Sequence, residues 1–203
     1  MSDDMIELAV SALQAGKPAI LPTDTVYGLC ATPYTSAPVE RLYRLKGREL
    51  GQPTALLAAD LDLLFECVPE LRGRAGTIAR ALLPGPYTLV LVNPARRFRW
   101  LCGPNPAAIG VRVPELPAPA AAVLARVGAV AATSANAPGG PDPCSLDQVP
   151  EAIRSGVAAE VDAGELPGTP STVLDFSGPE PRVLREGAAP AAEAIARVVA
   201  ALA

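Results

Sequence analysis

The chain contains no histidine. That excludes Ser-His-Asp and Cys-His catalysis, and zinc sites built on imidazole. Lysine is nearly absent: Lys17 and Lys46 stand against fifteen arginines. Aromatic residues make up 4% of the chain, so any core must rest on Ala, Val and Leu. The four cysteines, Cys30, Cys67, Cys102 and Cys144, are far apart and form no C-x-x-C pair. They read as reduced, mostly buried thiols of a cytoplasmic protein. There is no Gly-x-x-x-x-Gly-Lys-Ser/Thr loop, and no Gly-x-Gly-x-x-Gly follows the first strand. A bound nucleotide must therefore be held by side chains in a non-standard pocket. No window long enough to span a membrane is free of Pro, Gly and charge. The acidic start, Met1-Ser2-Asp3-Asp4, lacks the basic region of a signal peptide. No membrane contact and a cytoplasmic location are expected.

The length, 203 residues, suits a single domain over 1–203. A net charge of -4 argues against a broad, sequence-independent nucleic-acid face, while leaving room for a local cationic pocket. Apolar periodicity predicts helices over 5–15, 37–45, 61–68, 72–83, 118–127 and 191–202, and a helix over 146–155 interrupted at Pro150. It predicts strands over 18–21, 54–58, 87–92, 109–113, 129–133, 160–162, 172–175 and 182–184. Residues 138–143, Pro-Gly-Gly-Pro-Asp-Pro, read as a loop. Helices alternating with strands imply an α/β fold on one sheet. Strands fall in adjacent pairs near 87–113 and 172–184, so a mixed, twisted, open sheet flanked by helices is expected.

Five segments could carry chemistry. Thr23-Asp24-Thr25 leaves a strand end, where open α/β sheets place ligands; taken alone, the segment is better read as an ordinary polar turn. Lys46-Gly47-Arg48 follows a helix C-terminus, where cations and a Gly cap are favoured. The rarity of Lys favours a functional reading, two cations holding an anion. Thr133-Ser134-Ala135-Asn136 offers a hydroxyl and an amide able to bond phosphate or ribose oxygens, or simply a capping turn. Arg112, inside an apolar strand, needs an anionic partner, either a nearby carboxylate or a ligand. Ser171-Thr172 and Arg185 mark two late strand ends.

In order along the chain, Leu21-Pro22-Thr23-Asp24-Thr25-Val26-Tyr27-Gly28-Leu29, Lys46-Gly47-Arg48, Leu83-Pro84-Gly85-Pro86-Tyr87-Thr88-Leu89 and Gly110-Val111-Arg112-Val113-Pro114 resemble the YrdC-like family. So do Ala132-Thr133-Ser134-Ala135-Asn136, Pro170-Ser171-Thr172-Val173-Leu174-Asp175 and Leu184-Arg185-Glu186-Gly187-Ala188. The resemblance covers nearly the whole chain and points to the short, single-domain members. It implies a concave, positively charged cavity and synthesis of threonylcarbamoyl-AMP and pyrophosphate from L-threonine, bicarbonate and ATP with Mg2+. The product would feed a tRNA threonylcarbamoyl transferase. By the same resemblance, Lys46 and Arg48 are catalytic and bind ATP together with Ser134, Asn136 and Arg185. Thr23, Thr25, Arg112 and Ser171 would bind threonine. No protein-held metal is implied. The chain departs from the family pattern at Pro170, where Glu is common, and at Ala108, where some members carry Thr or Ser. Some members also carry a His after the Lys-x-Arg pair. Two other readings stand beside this one. One is a non-catalytic relative that binds RNA weakly or holds a nucleotide. The other is a carbamoyl-phosphate-dependent enzyme, which the length and the missing Cys pairs disfavour.

Overall fold

A computed structural model describes residues 2–203. In chain order the elements are α1 (Ser2–Gln14), β1 (Ala19–Pro22), β2 (Tyr27–Ala31), α2 (Ser36–Lys46), β3 (Ala55–Ala58), α3 (Leu61–Cys67) and α4 (Gly73–Leu82). There follow β4 (Tyr87–Val92), β5 (Ala108–Arg112), α5 (Ala118–Val127), β6 (Ala129–Ser134), α6 (Glu151–Arg154), β7 (Ala159–Glu160), β8 (Thr172–Asp175), β9 (Arg182–Arg185) and α7 (Ala191–Leu202). Nine strands form one sheet in the order β7-β1-β2-β6-β3-β5-β4-β8-β9. The sheet is mixed, as expected: β4 pairs antiparallel with β5 and parallel with β8, and β8 pairs antiparallel with β9.

Sequence periodicity missed one strand, β2, and the short 3-10 turn Arg99–Leu101. The β2 sequence, Tyr-Gly-Leu-Cys-Ala, shows no alternation because the strand is buried on both faces. It returns antiparallel along β1, with Pro22 opposite Tyr27. Thr23-Asp24-Thr25-Val26 is therefore the turn of a hairpin. The predicted helix over 146–155 is in fact a 3-10 turn, Leu146–Gln148, and the four-residue α6, separated by Val149 and Pro150.

The two faces of the sheet differ. Residues of α2, α3, α4 and α7 cover one face and form the main core, with Leu42, Leu64, Ile78 and Val198 against Leu29, Leu56, Leu89 and Leu174. On the other face, α1 and α5 make a smaller core with Leu21, Cys30, Leu57 and Val130. The strands that carry Leu57 and Val130 present Ala55 and Ala132 on the same side, two residues along. There the helices end and a cavity begins. Small side chains make this part of the sheet an open floor.

Candidate functional site

The cavity has a volume of about 780 Å³, within the range of small-molecule sites. Its floor is one face of the sheet: Ala55 from β3, Thr88 and Val90 from β4, Ala108, Gly110 and Arg112 from β5, Ala132 and Ser134 from β6, and Val173 from β8. The hollow includes the strand-end residues Thr23, Thr25 and Asn136 and also opens over the strands themselves. Physically, helices cover only half of this face, so the other half is the concavity. All nine residues singled out from sequence line it: Thr23, Thr25, Lys46, Arg48, Arg112, Ser134, Asn136, Ser171 and Arg185.

Lys46 is the last residue of α2. Gly47 caps that helix in the left-handed region (φ 68°, ψ 28°), a conformation that suits glycine, and so turns Arg48 back toward the same hollow. The Lys46 ammonium donates to Ser134 O at 2.5 Å, Asn136 Oδ1 at 2.7 Å and Asn136 O at 3.0 Å. Every one of these acceptors is neutral. Burial, and then the nearby Arg48 charge, lowers the Lys46 pKa to about 8, while Asp142 opposes the shift. Arg48 likewise donates only to neutral groups: Gln52 Oε1 at 2.6 Å, Pro53 O at 2.8 Å, and the Thr54 and Thr133 hydroxyls at 3.3 Å. Its pKa is also lowered by burial.

Asn136 ties this corner together. Its Oδ1 accepts from Lys46 and from the Ser134 hydroxyl at 2.6 Å, and its Nδ2 donates to Gly140 O at 2.6 Å. The 138–143 loop is thereby anchored beside the two cations.

Arg112 has the carboxylate that its burial demanded. It donates to Asp24 Oδ1 at 2.7 Å and to the Thr25 hydroxyl at 3.4 Å. Burial lowers the Arg112 pKa and raises that of Asp24, and their mutual attraction opposes both shifts. Two buried polar atoms of this pair, Asp24 Oδ2 and Arg112 Nε, have no hydrogen-bond partner among the described residues. The Thr23 hydroxyl donates to Val26 O at 2.7 Å and accepts from the amides of Thr25 and Val26 at 3.2 Å. The polar-turn reading of this segment is therefore correct, and the turn also faces the cavity.

On the opposite wall, the Arg185 guanidinium forks onto Ser171 O at 2.8 and 3.0 Å and reaches the Ser171 hydroxyl at 3.1 Å. That hydroxyl is 2.8 Å from the Thr88 hydroxyl. Residues 161–171 carry the chain here from β7, at the far edge of the sheet, and Gly168 N bonds to Thr25 O on the way.

Five basic side chains line the cavity (Lys46, Arg48, Arg112, Arg182 and Arg185) against two acidic ones, Asp142 and Asp175. Arg112 is paired with Asp24, and Arg182 with Asp175. Among the described residues Lys46, Arg48 and Arg185 have no ion-pair partner. Three uncompensated cations around one hollow suit a polyanion. Sequence reasoning assigned no role to Thr88, Asp175, Arg182 or Leu184, all of which line the cavity. For Thr88 and Asp175 the available signal was period-2 placement beside Val90 on β4 and Val173 on β8.

A family model, Sua5/YciO/YrdC, described as "Telomere recombination", matches residues 11–187. The chain belongs to this family. A Mycobacterium tuberculosis relative is 35% identical over 88% of this chain and 82% of its own length. That relative carries the name threonylcarbamoyl-AMP synthase provisionally. A family member from Pyrococcus abyssi, named threonylcarbamoyl-AMP synthase, is 32% identical over 93% of this chain and 55% of its own length. The crystal structure of P. abyssi Sua5 complexed with L-threonine superimposes with a TM-score of 0.85 at 32% identity. The match covers 96% of this chain and 57% of that one, so this chain spans little more than half of the archaeal protein. Among the described residues no helix is long and apolar enough to cross a membrane.

Proposed function

We propose that this chain is a threonylcarbamoyl-AMP synthase. It would join L-threonine, bicarbonate and ATP into threonylcarbamoyl-AMP, with release of pyrophosphate. One observation carries the reading: segments remote in sequence bring three cations without an ion-pair partner among the described residues, Lys46, Arg48 and Arg185, into the same hollow as Arg112 and the hydroxyls of Thr23 and Thr25. The first set suits a triphosphate and the second an amino acid, which offers its carboxylate to Arg112 and its amino group to the Thr23 and Thr25 hydroxyls. The names of the relatives agree with such a pair of ligands.

The chemistry follows from this placement. The threonine amine attacks bicarbonate, losing water, and becomes a carbamate. A carbamate oxygen then forms a bond to the α-phosphorus of ATP, and the bond to the bridging oxygen of pyrophosphate breaks. No covalent enzyme nucleophile is needed, which suits a chain without histidine. What the protein supplies is alignment and charge. Lys46 and Arg48 sit where they would meet the phosphates and the carbamate, with Ser134 and Asn136 bonding the nucleotide beside them. Arg185 holds the nucleotide from the opposite wall. Ser171, between Arg185 and Thr88, bonds threonine. Charge that builds on the phosphoryl oxygens then meets cations already in position, which is worth a few kcal/mol per donor, about two to three orders of magnitude in rate.

Magnesium is proposed to arrive with ATP. Among the described residues no group of three or more His, Cys, Asp or Glu is placed to hold a metal. Asp175 is engaged by Ser177 and Arg182, which leaves Asp142 as the cavity carboxylate able to face an ATP-borne ion. Bound there, the ion would neutralise phosphate charge. We place the protein in the cytoplasm, a location that its four free cysteines suit, and assign its product to a downstream tRNA threonylcarbamoyl transferase.

The test is direct. Protein, ATP, magnesium, bicarbonate and L-threonine are mixed, and an acid-labile adenylate is sought by mass spectrometry, with threonine omitted as the control. Threonine-dependent adenylate and pyrophosphate are expected. Tight ATP binding without either product overturns the synthase reading and favours the alternative, a nucleotide-holding relative.

A further inference from the structure

The regular alternation of side chains breaks once in the cavity wall. β8 and β9 pair as Val173 with Arg185, Leu174 with Val183 and Asp175 with Arg182. Leu184 is thus an extra residue, a β-bulge with no partner on β8. Strict alternation would place Arg182 and Leu184 on one face and Val183 and Arg185 on the other. With the bulge, Arg182, Leu184 and Arg185 all line the cavity, and Val183 does not. Bulges re-aim side chains in this way.

The result puts an apolar and a cationic side chain next to each other on the same wall. A lone exposed leucine needs no explanation. Leu184, however, is 55% exposed and lines a ligand-sized cavity. The nearby floor on β4 and β8 carries two more apolar side chains, Val90 and Val173. The opposite corner gathers the polar side chains Lys46, Arg48, Ser134 and Asn136. ATP has the same division: one planar, weakly hydrated ring and a chain of charged phosphates.

Resting on the synthase reading, we infer that Leu184 is a nucleobase contact. The purine of ATP lies against Leu184, with Val90 and Val173 completing an apolar shelf, and the phosphates run toward Lys46 and Arg48. The bulge serves both ends of the nucleoside, since without it Leu184 and Arg185 could not face the ligand together.

The experiment compares ATP with inorganic tripolyphosphate, which has the charge and lacks the ring. Binding of each is measured by calorimetry, without threonine, for wild type, Leu184→Ser and Leu184→Met. Leu184→Ser should weaken ATP roughly tenfold, the loss expected for part of an apolar side-chain contact. Tripolyphosphate binding and the melting temperature should not change, and Leu184→Met should keep ATP affinity within about twofold. Unchanged ATP affinity in Leu184→Ser overturns the inference. So does equal weakening of both ligands, which would mean that Leu184 merely sets the place of Arg185. If wild type binds tripolyphosphate but gains nothing from the ring of ATP, the inference also fails. Failure of wild type to bind either ligand would instead strike at the synthase reading itself.

Discussion

Raising the pH from 7 to 10 should move the stability of the free protein and its affinity for ATP in opposite directions, through Lys46. Burial and the Arg48 charge bring the amine from 10.5 down to about 8. Between these values the unfolded chain holds a proton that the folded one has released, so stability rises with pH across that window. Below about pH 8 the folded protein carries the whole cost of a desolvated ammonium. The difference corresponds to at most ~3 kcal/mol, and partial solvent access to the amine reduces it to ~2 kcal/mol. ATP binding needs the charged amine and should weaken over the same range, with the limb displaced upward because bound phosphate favours the ammonium. Thermal unfolding of wild type and Lys46→Met, each with and without ATP, separates the effects. Subtracting the variant removes the tyrosine and cysteine ionisations. Without ATP, the wild-type-minus-variant stability should climb by ~2 kcal/mol between pH 8 and 10.5, while the ATP-induced shift in melting temperature shrinks. A difference that stays flat to pH 10 would show an ordinary, hydrated lysine, and the argument for an uncompensated charge at this corner would be refuted.

Two glycines give further tests of opposite kind. At Gly110 an added Cβ meets nothing closer than 3.8 Å, so the strand tolerates a side chain that then projects into the cavity; Gly110→Leu should melt close to wild type and lose ATP and threonine binding together. An inhibited variant with intact threonine binding would mean that the floor of the hollow does not serve both ligands. At Gly187 the Cβ would sit 2.3 Å from Pro170 O and 2.6 Å from Ser171 C, both backbone atoms. Gly187→Ala should therefore cost ~1–3 kcal/mol in chemical denaturation, and should also displace the Ser171–Arg185 contact. Unchanged stability would show that the close approach relaxes freely.

Much of the architecture could be read from residue order because local rules and tertiary demands agree there. The stretch over 118–127 has a proline in its first turn and Gly128 after its end, and it folds as α5 with the expected bounds. The strand over 87–92 alternates apolar and less apolar residues, and its burial alternates in the same way. β2 failed the same test. A strand buried on both faces has no polar phase to betray it, and its Gly28 lowers strand propensity. Gly28 nonetheless lies opposite Ser134 in the ladder, where Thr133 O is 3.6 Å from the Cβ it lacks. A feature that hid the strand from local reasoning is one that lets it pass beneath the cavity.

The site divides along similar lines. Lys46 stood out because a chain that otherwise uses arginine spends a lysine there. Arg112 stood out because a guanidinium in an apolar strand demands a counter-charge, and Asp24 supplies it. Both clues are chemical and need no coordinates. Leu184 gave none, since a leucine in a strand is the default expectation. Only the register of β8 against β9 reveals that it shares a face with Arg185. Pairing register is a property of two segments at once, and no pattern within one of them encodes it. The same holds for the hollow as a whole: its lining comes from seven of the nine strands, and its volume exists because α1 and α5 stop over Leu57 and Val130. Charge and hydroxyl placement thus mark the polar corner of such a cavity in advance. Its apolar wall becomes visible only when the sheet is assembled, and that wall is where discrimination among nucleotides has to arise, because every nucleoside triphosphate presents the same phosphates to Lys46 and Arg48.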